Sequence, residues 1–201
     1  MEKQNIKHLK ESLNKFAKTV ISKSKKNLRP DSSLAKSLQY YVTNAKGQKI
    51  KDEIKVGPNS IELDFAMNYY GPFYDKGVKG VDPNALPEGS KQYGKQRGKN
   101  SPYKFGKKNN SRGTLRASIN GWLTRKNLKD VRDKSGRFTS RKTAIFLISR
   151  SIWYSGLKPS LFFTKPFEQE YKKLPKQLEE NFALDVERML AFTTKNINKD
   201  E

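Results

Sequence analysis

The chain has 201 residues and a net charge of +22, with 42 Lys and Arg against 20 Asp and Glu, and only 34% of its residues are hydrophobic. Leu, Ile, Val and Phe make up about 22%, just above the level at which high net charge keeps a chain unfolded. One folded domain over residues 1–201 is therefore expected, carrying long polar segments. No stretch approaches a membrane span and the Lys-rich start lacks the apolar run of a secretory leader, so a membrane partner is not expected. The absence of Cys and the single His8 exclude disulfides and thiolate chemistry and argue against His-rich metal sites, leaving carboxylates and hydroxyls for any catalysis.

Ile6, Leu9, Leu13, Phe16 and Val20 are spaced by three and four residues and fall on one stripe of a helix, which predicts a helix over residues 3–27 with a solvated lysine face. Arg29-Pro30-Asp31-Ser32-Ser33 breaks it, since Pro removes a backbone donor and Asp and Ser supply turn and cap bonds. Residues 37–44 and 49–56, with Ile61, Leu63 and Phe65 alternating beyond Gly57-Pro58, read as an antiparallel sheet with one buried face. Residues 68–74, rich in aromatics, read as a turn into a short helix or a cap over the sheet.

From Gly77 to Gly113 the composition turns to Gly, Lys, Asn and Ser, a mixture unable to bury enough surface to order itself. This segment is predicted to be an inserted basic arm, ordered only against a partner. Between Gly89 and Lys129 there is no acid and there are twelve Lys and Arg. Lys91, Tyr93, Lys95, Arg97, Lys99, Tyr103, Lys104, Phe105, Lys107, Lys108 and Arg112 are the candidate contacts to a partner or to nucleic acid, because charge with interleaved aromatics suits phosphates and bases. An arm lying on an acidic face of a neighbouring subunit is the other reading.

Residues 114–126 predict a helix with Leu115, Ile119 and Trp122 on one side, and residues 133–137 a turn. Ala144 to Ser155 is the most apolar run, with Ile145, Ile148 and Ile152 at helical spacing and Gly156 placed to end it in the left-handed conformation. The predicted core joins Ile145, Ile148 and Ile152 to Leu13, Phe16, Ile61, Leu63 and Phe65, with both helices on one face of the sheet. A last helix begins near Lys165-Pro166, restarts or kinks at Pro175 and runs through Leu178, Phe182, Val186 and Met189, ahead of a polar tail over 193–201. It carries Glu168, Glu170, Glu179, Glu180, Asp185 and Glu187, an acidic face that could meet the basic arm of the next copy in a ring- or filament-forming interface.

Asp31 followed by Glu53 and Lys55 matches the loose pattern of a magnesium nuclease. The motif is degenerate, and Asp31 lacks the apolar strand such a site needs. Glu62, Asp64 and Asp75 read as solvent-face or loop acids. No hydroxyl nucleophile has a His in context, and no phosphate-cradling Gly-rich loop is present.

Three separated segments carry a resemblance. Pro30-Asp31-Ser32-Ser33-Leu34-Ala35-Lys36-Ser37-Leu38 is similar to a Pro-x-Asp/Thr-Gly-x-Leu-x-x-Ser-Ile turn. Tyr69-Tyr70-Gly71-Pro72-Phe73-Tyr74-Asp75-Lys76-Gly77 is similar to Tyr-Ala-x-Tyr-Val-Glu-x-Gly. The run from Gly156 to Phe167, which includes Pro159, Phe162, Phe163 and Pro166, resembles a closing Pro-x-Pro-Phe-Leu-x-Pro-Ala stretch. These are landmarks of the tail-completion and head–tail connector proteins of tailed bacteriophages, and the chain most resembles the versions in crAss-like phages. Ser33 stands where that family usually has Gly, and the insertion after Gly77 is longer.

The resemblance implies an α+β subunit in which an antiparallel sheet packs against a long N-terminal helix and further helices, with no catalytic residues, cofactor or metal. It also implies assembly as a cyclic homo-oligomer in the neck or tail of a virion, after synthesis in the host cytoplasm. The partners would be further copies of the chain, portal, connector and tail proteins, and packaged DNA if the arm faces the channel. A nucleic-acid-binding architectural protein and the nuclease are the rival readings.

Overall fold

The computed structural model describes residues 7–43, 49–51, 55–56, 61–106, 110–125, 131–132 and 136–197. In chain order the elements are α1 (Lys7–Lys26), α2 (Ser33–Ser37), β1 (Gln39–Thr43), β2 (Lys49–Lys51), β3 (Lys55–Val56), β4 (Ile61–Glu62), β5 (Asp64–Ala66), α3 (Gly71–Lys76), β6 (Val78–Lys79), a 3₁₀ turn (Pro83–Ala85), α4 (Asn110–Arg125), β7 (Val131–Arg132), β8 (Phe138–Thr139), α5 (Arg141–Ser155), β9 (Gly156–Leu157), α6 (Thr164–Tyr171) and α7 (Leu174–Ile197). The fold is α+β, with a long N-terminal helix and small antiparallel sheets. The chain divides into two compact units, Met1–Gly71 with Phe162–Glu201, and Pro72–Leu161.

In the first unit the stripe read from the sequence is the buried face of α1. Leu9, Leu13, Phe16, Ala17 and Val20 form a core with Tyr40 and Leu174, and Ile21, Leu63, Phe65, Phe163, Phe167 and Leu178 pack against it. Ile6 lies outside the described residues, as do the side chains of Ile61 and Ile50. β1 is the middle strand of three, pairing antiparallel with β2 (Val42 opposite Ile50) and with β5 (Tyr40 opposite Phe65). Tyr40 and Phe65 point to the same face as opposed residues do in a pleated pair, and that face lies against α1. Phe65 is in edge contact with Phe16, Phe163 and Phe167, at centroid distances of 5.3 to 6.5 Å. β3 and β4 form a separate pair, so the single sheet expected over 37–65 is split.

α7 begins at Leu174 with Pro175 in its first turn, where the missing N–H of proline removes no helical bond. Its Asp185, 2% exposed, accepts from the backbone N–H groups of His8 and Leu9 at 3.2 and 3.0 Å. The first turn of α1 contains no acid of its own, so a carboxylate from another helix supplies both the missing acceptors and the favourable charge at its positive end. Glu170 of α6 accepts from Lys23 at 2.6 Å and from Lys173 at 3.3 Å. Three of the six acids assigned to an intersubunit face, Glu170, Glu180 and Asp185, are therefore engaged within their own unit, Glu180 with Lys176 at 3.9 Å.

The second unit differs most from expectation. α5 was expected to set Ile145, Ile148 and Ile152 in a core shared with α1 over one sheet face. Instead it belongs to residues 72–161, where it packs on α4, β9 and the 3₁₀ turn, and those three isoleucines are only half-buried. Its buried residues are Ala144, Ser149, Trp153 and Ser155. The serine hydroxyls donate one turn back, to Ile145 O at 2.6 Å and Ser151 O at 2.7 Å, so small polar residues occupy the close-packed face without orphaned groups. Among the described side chains of α4, Leu123 is buried, while Trp122 is 40% exposed. Arg141 at the start of α5 ties the pair together, its Nε donating to Asn120 Oδ1 and its Nη2 to Asn120 O, both at 2.9 Å.

Candidate functional site

The basic arm is not a free loop. Its Lys104 forms a parallel bridge to Lys79 of β6, with Lys79 N–H donating to Tyr103 O at 2.8 Å and Phe105 N–H to Lys79 O at 3.0 Å. Arg97 N–H donates to Ser155 O at 2.6 Å, and Ser101 Oγ to Gly77 O at 2.8 Å. Gly98 lies so close to β6 and β9 that a Cβ there would stand 2.9 Å from Leu157 O.

Two of the three aromatics assigned to a partner are used at home. Tyr103 meets Phe73 edge-on at 4.5 Å, and Phe105 stacks on Trp153 at 5.4 Å. Residues 77–106 thus belong to the second unit's own packing, because backbone hydrogen bonds and glycine contacts, which composition does not display, replace the missing aliphatic burial. Among the candidate contacts, Lys91, Tyr93, Lys95, Lys99 and Lys104 are exposed, Arg97 is half-buried with Nε donating to Gln92 at 3.1 Å, and Tyr93 donates to Glu88 at 3.4 Å. Lys107 and Lys108 lie outside the described residues, as does the side chain of Arg112.

The family-like segments come together more closely. Pro30 sits exposed in the turn after α1, and Ser32 caps α2 by accepting from Ala35 N–H at 3.1 Å. Ser33, the first residue of α2, has its hydroxyl 2.6 Å from Tyr70 Oη, and Asn68 Nδ2 donates to both at 3.3 Å. Ser37 Oγ accepts from Asn68 N–H at 3.0 Å and donates to Leu34 O at 3.0 Å. Beneath this polar layer Leu34, Leu38 and Phe162 form a second buried cluster, with Ile21, Leu28, Met67 and Phe163 against it. Pro166 is buried and Phe163 stacks on Phe167 at 5.8 Å. Residues of all three segments therefore meet in the first unit. Above them Tyr69 is 87% exposed and held edge-on against Tyr70 at 5.6 Å.

In the second unit the remaining parts of the last two segments also join. Ser160 N–H and Oγ both donate to Tyr74 O, at 3.2 and 2.7 Å, and Leu161 N–H donates to Asp75 O at 2.9 Å. Gly77 has a φ of +72°, and a Cβ there would lie 2.5 Å from Leu157 O and 2.8 Å from Pro159 N, so only glycine fits. Asp75, expected to be a solvent-face or loop acid, lies in α3 and is 3% exposed. Leu161 has a φ of 53°, which a branched side chain adopts at a cost of about 1–3 kcal/mol. Gly156 ends α5 with φ 89° and ψ −174°, a conformation more extended than the left-handed one expected and essentially confined to glycine.

Of the nuclease pattern, Asp31 is exposed in a turn, while Glu53 and the side chain of Lys55 lie outside the described residues. Among the described residues there is no group of three or more His, Asp or Glu able to hold a metal ion, and no helix long and apolar enough to cross a membrane. Compared with known proteins, the chain matches no family model, no curated protein and no solved structure at a significant level.

Proposed function

We propose that this chain is a virion structural protein, a subunit of a ring in the neck or tail of a tailed bacteriophage that joins the portal or connector to the tail and performs no catalysis. What supports the reading is the meeting of the three family-like segments, in which Ser33 bonds Tyr70 and Leu34 packs on Phe162. Segments far apart in sequence that resemble the landmarks of one family in order also build one local structure, as a common architectural role requires. The exposed Tyr69 adds a rigid aromatic anchor of the kind that dominates protein interfaces.

Negative-stain electron microscopy of the purified protein tests the reading. Closed rings of uniform diameter are expected, and a field of isolated single-chain particles at high protein concentration overturns it. A second reading, an architectural nucleic-acid binder, draws support from a lysine-lined groove on the first unit.

A further inference from the structure

We propose that an open groove of about 750 Å³ between α1 and the α2–β1 segment binds the phosphodiester backbone of nucleic acid without reading its sequence. The walls carry Lys18, Lys25 and Lys26 from α1 and Lys36 from α2, and Leu38 and Tyr40 lie behind them. All four lysines are exposed, and no carboxylate of the described residues lies within ion-pair distance of any of them. Lys23, on the same helix, contrasts with them, since Glu170 holds it at 2.6 Å.

A second groove runs along α1 and shares Lys18, Ser22 and Lys26 with the first. Those three residues are four apart, so they form one ridge on the helix. Lysines near the C-terminal end of α1 gain from the helix dipole, which accounts for Lys25 and Lys26. It does not account for Lys18, two turns earlier, or for Lys36 across the groove. Uncompensated like charges facing each other raise the energy of the free protein, and a polyanion in the groove removes that repulsion.

The residue types select the occupant. Interfaces between proteins are depleted in Lys and enriched in Arg and exposed aromatics, whereas this groove has four Lys, no Arg, and a tyrosine only 2% exposed. Ammonium groups on flexible stems follow a phosphate chain as point charges and provide no bidentate readout of bases. Sequence-independent backbone binding is what such walls supply. This inference does not rest on the ring reading, because a monomer has the complete groove.

Fluorescence anisotropy with a labelled 20-base-pair duplex tests it. Each phosphate contact contributes about 0.9 to the slope of log affinity against log salt. Replacing Lys18, Lys25, Lys26 and Lys36 with Gln is therefore expected to flatten the slope by about 3.6. Between 50 and 200 mM salt the unaltered protein then loses about 150-fold more affinity than the variant. A control that replaces the exposed Lys142, Lys158, Lys165 and Lys172, which line neither groove, with Gln removes the same charge and should leave the slope within one contact of the original.

Equal flattening in both variants shows attraction by net charge alone and overturns the proposal. So does displacement of the duplex by poly-glutamate at a lower concentration of charge than unlabelled duplex requires, which would make an acidic polypeptide the occupant. Should the fourfold variant melt early, Lys25→Gln alone is expected to flatten the slope by about 0.9, and no change overturns the proposal.

Discussion

Ser24 is fully buried on the inner stripe of α1, and its hydroxyl has no partner among the described residues. A buried hydroxyl without a hydrogen bond destabilises the fold, and Ala also favours a helix over Ser. Ser24→Ala is therefore expected to raise stability by about 1 kcal/mol, read as a higher melting temperature or denaturant midpoint. At Glu170 the hydrogen bond from Lys23, aided by Lys173, holds the carboxyl below its ordinary value of 4.5 against the opposing effect of burial. A depressed carboxyl contributes stability that is complete above its unfolded value and is lost as the pH falls through the folded one. Acid titration of the wild type should show that loss below about pH 4.5. Glu170→Gln should be less stable by about 1 kcal/mol at neutral pH, as for an ion pair whose lysine stays partly in solvent, and should lack that part of the acid sensitivity.

Among the elements, α1 and α7 are joined by the capping of His8 and Leu9 by Asp185. Asp185→Ala leaves two backbone donors without acceptors at a helix start, which should cost about 1–2 kcal/mol. Chemical denaturation measures it, and Asp185→Asn, which keeps one acceptor, should recover part of the loss. The sequence showed α1 because its large apolar residues repeat with the period of the helix, and nothing in the packing overrides that stripe. It showed the alternation of Leu63 and Phe65 for the same reason. The face of α5 was hidden, since burial there falls on Ala144, Ser149 and Ser155 beside Trp153, the two serine hydroxyls bond within the helix, and a search for large aliphatics selects the half-buried isoleucines. The capping carboxylate was hidden too, because no local spacing links residue 185 to residue 8.

At the scale of the whole molecule, the arm shows how composition misleads. Residues 77–106 are poor in aliphatics, yet β6, Ser155 and Trp153 anchor them through Tyr103, Arg97 and Phe105. Limited trypsin digestion of the isolated chain should therefore cut slowly at Arg97 and Lys104, and rapid cleavage at both would show that these contacts do not hold in solution. The three family-like segments were legible as motifs, but their meeting through Ser33, Tyr70 and Phe162 was not, because it depends on how the chain returns to the first unit after residue 161.

The most direct test of the ring reading compares the mass in solution of the wild type and of Tyr69→Ala by light scattering across a concentration series. Tyr69 is 87% exposed, so the substitution should leave the melting temperature nearly unchanged. The account predicts that the wild type reaches a fixed multiple of the 23.1 kDa chain and that Tyr69→Ala, folded but without its anchor, stays at the single-chain mass. A wild type that remains at 23.1 kDa over the whole series would contradict it.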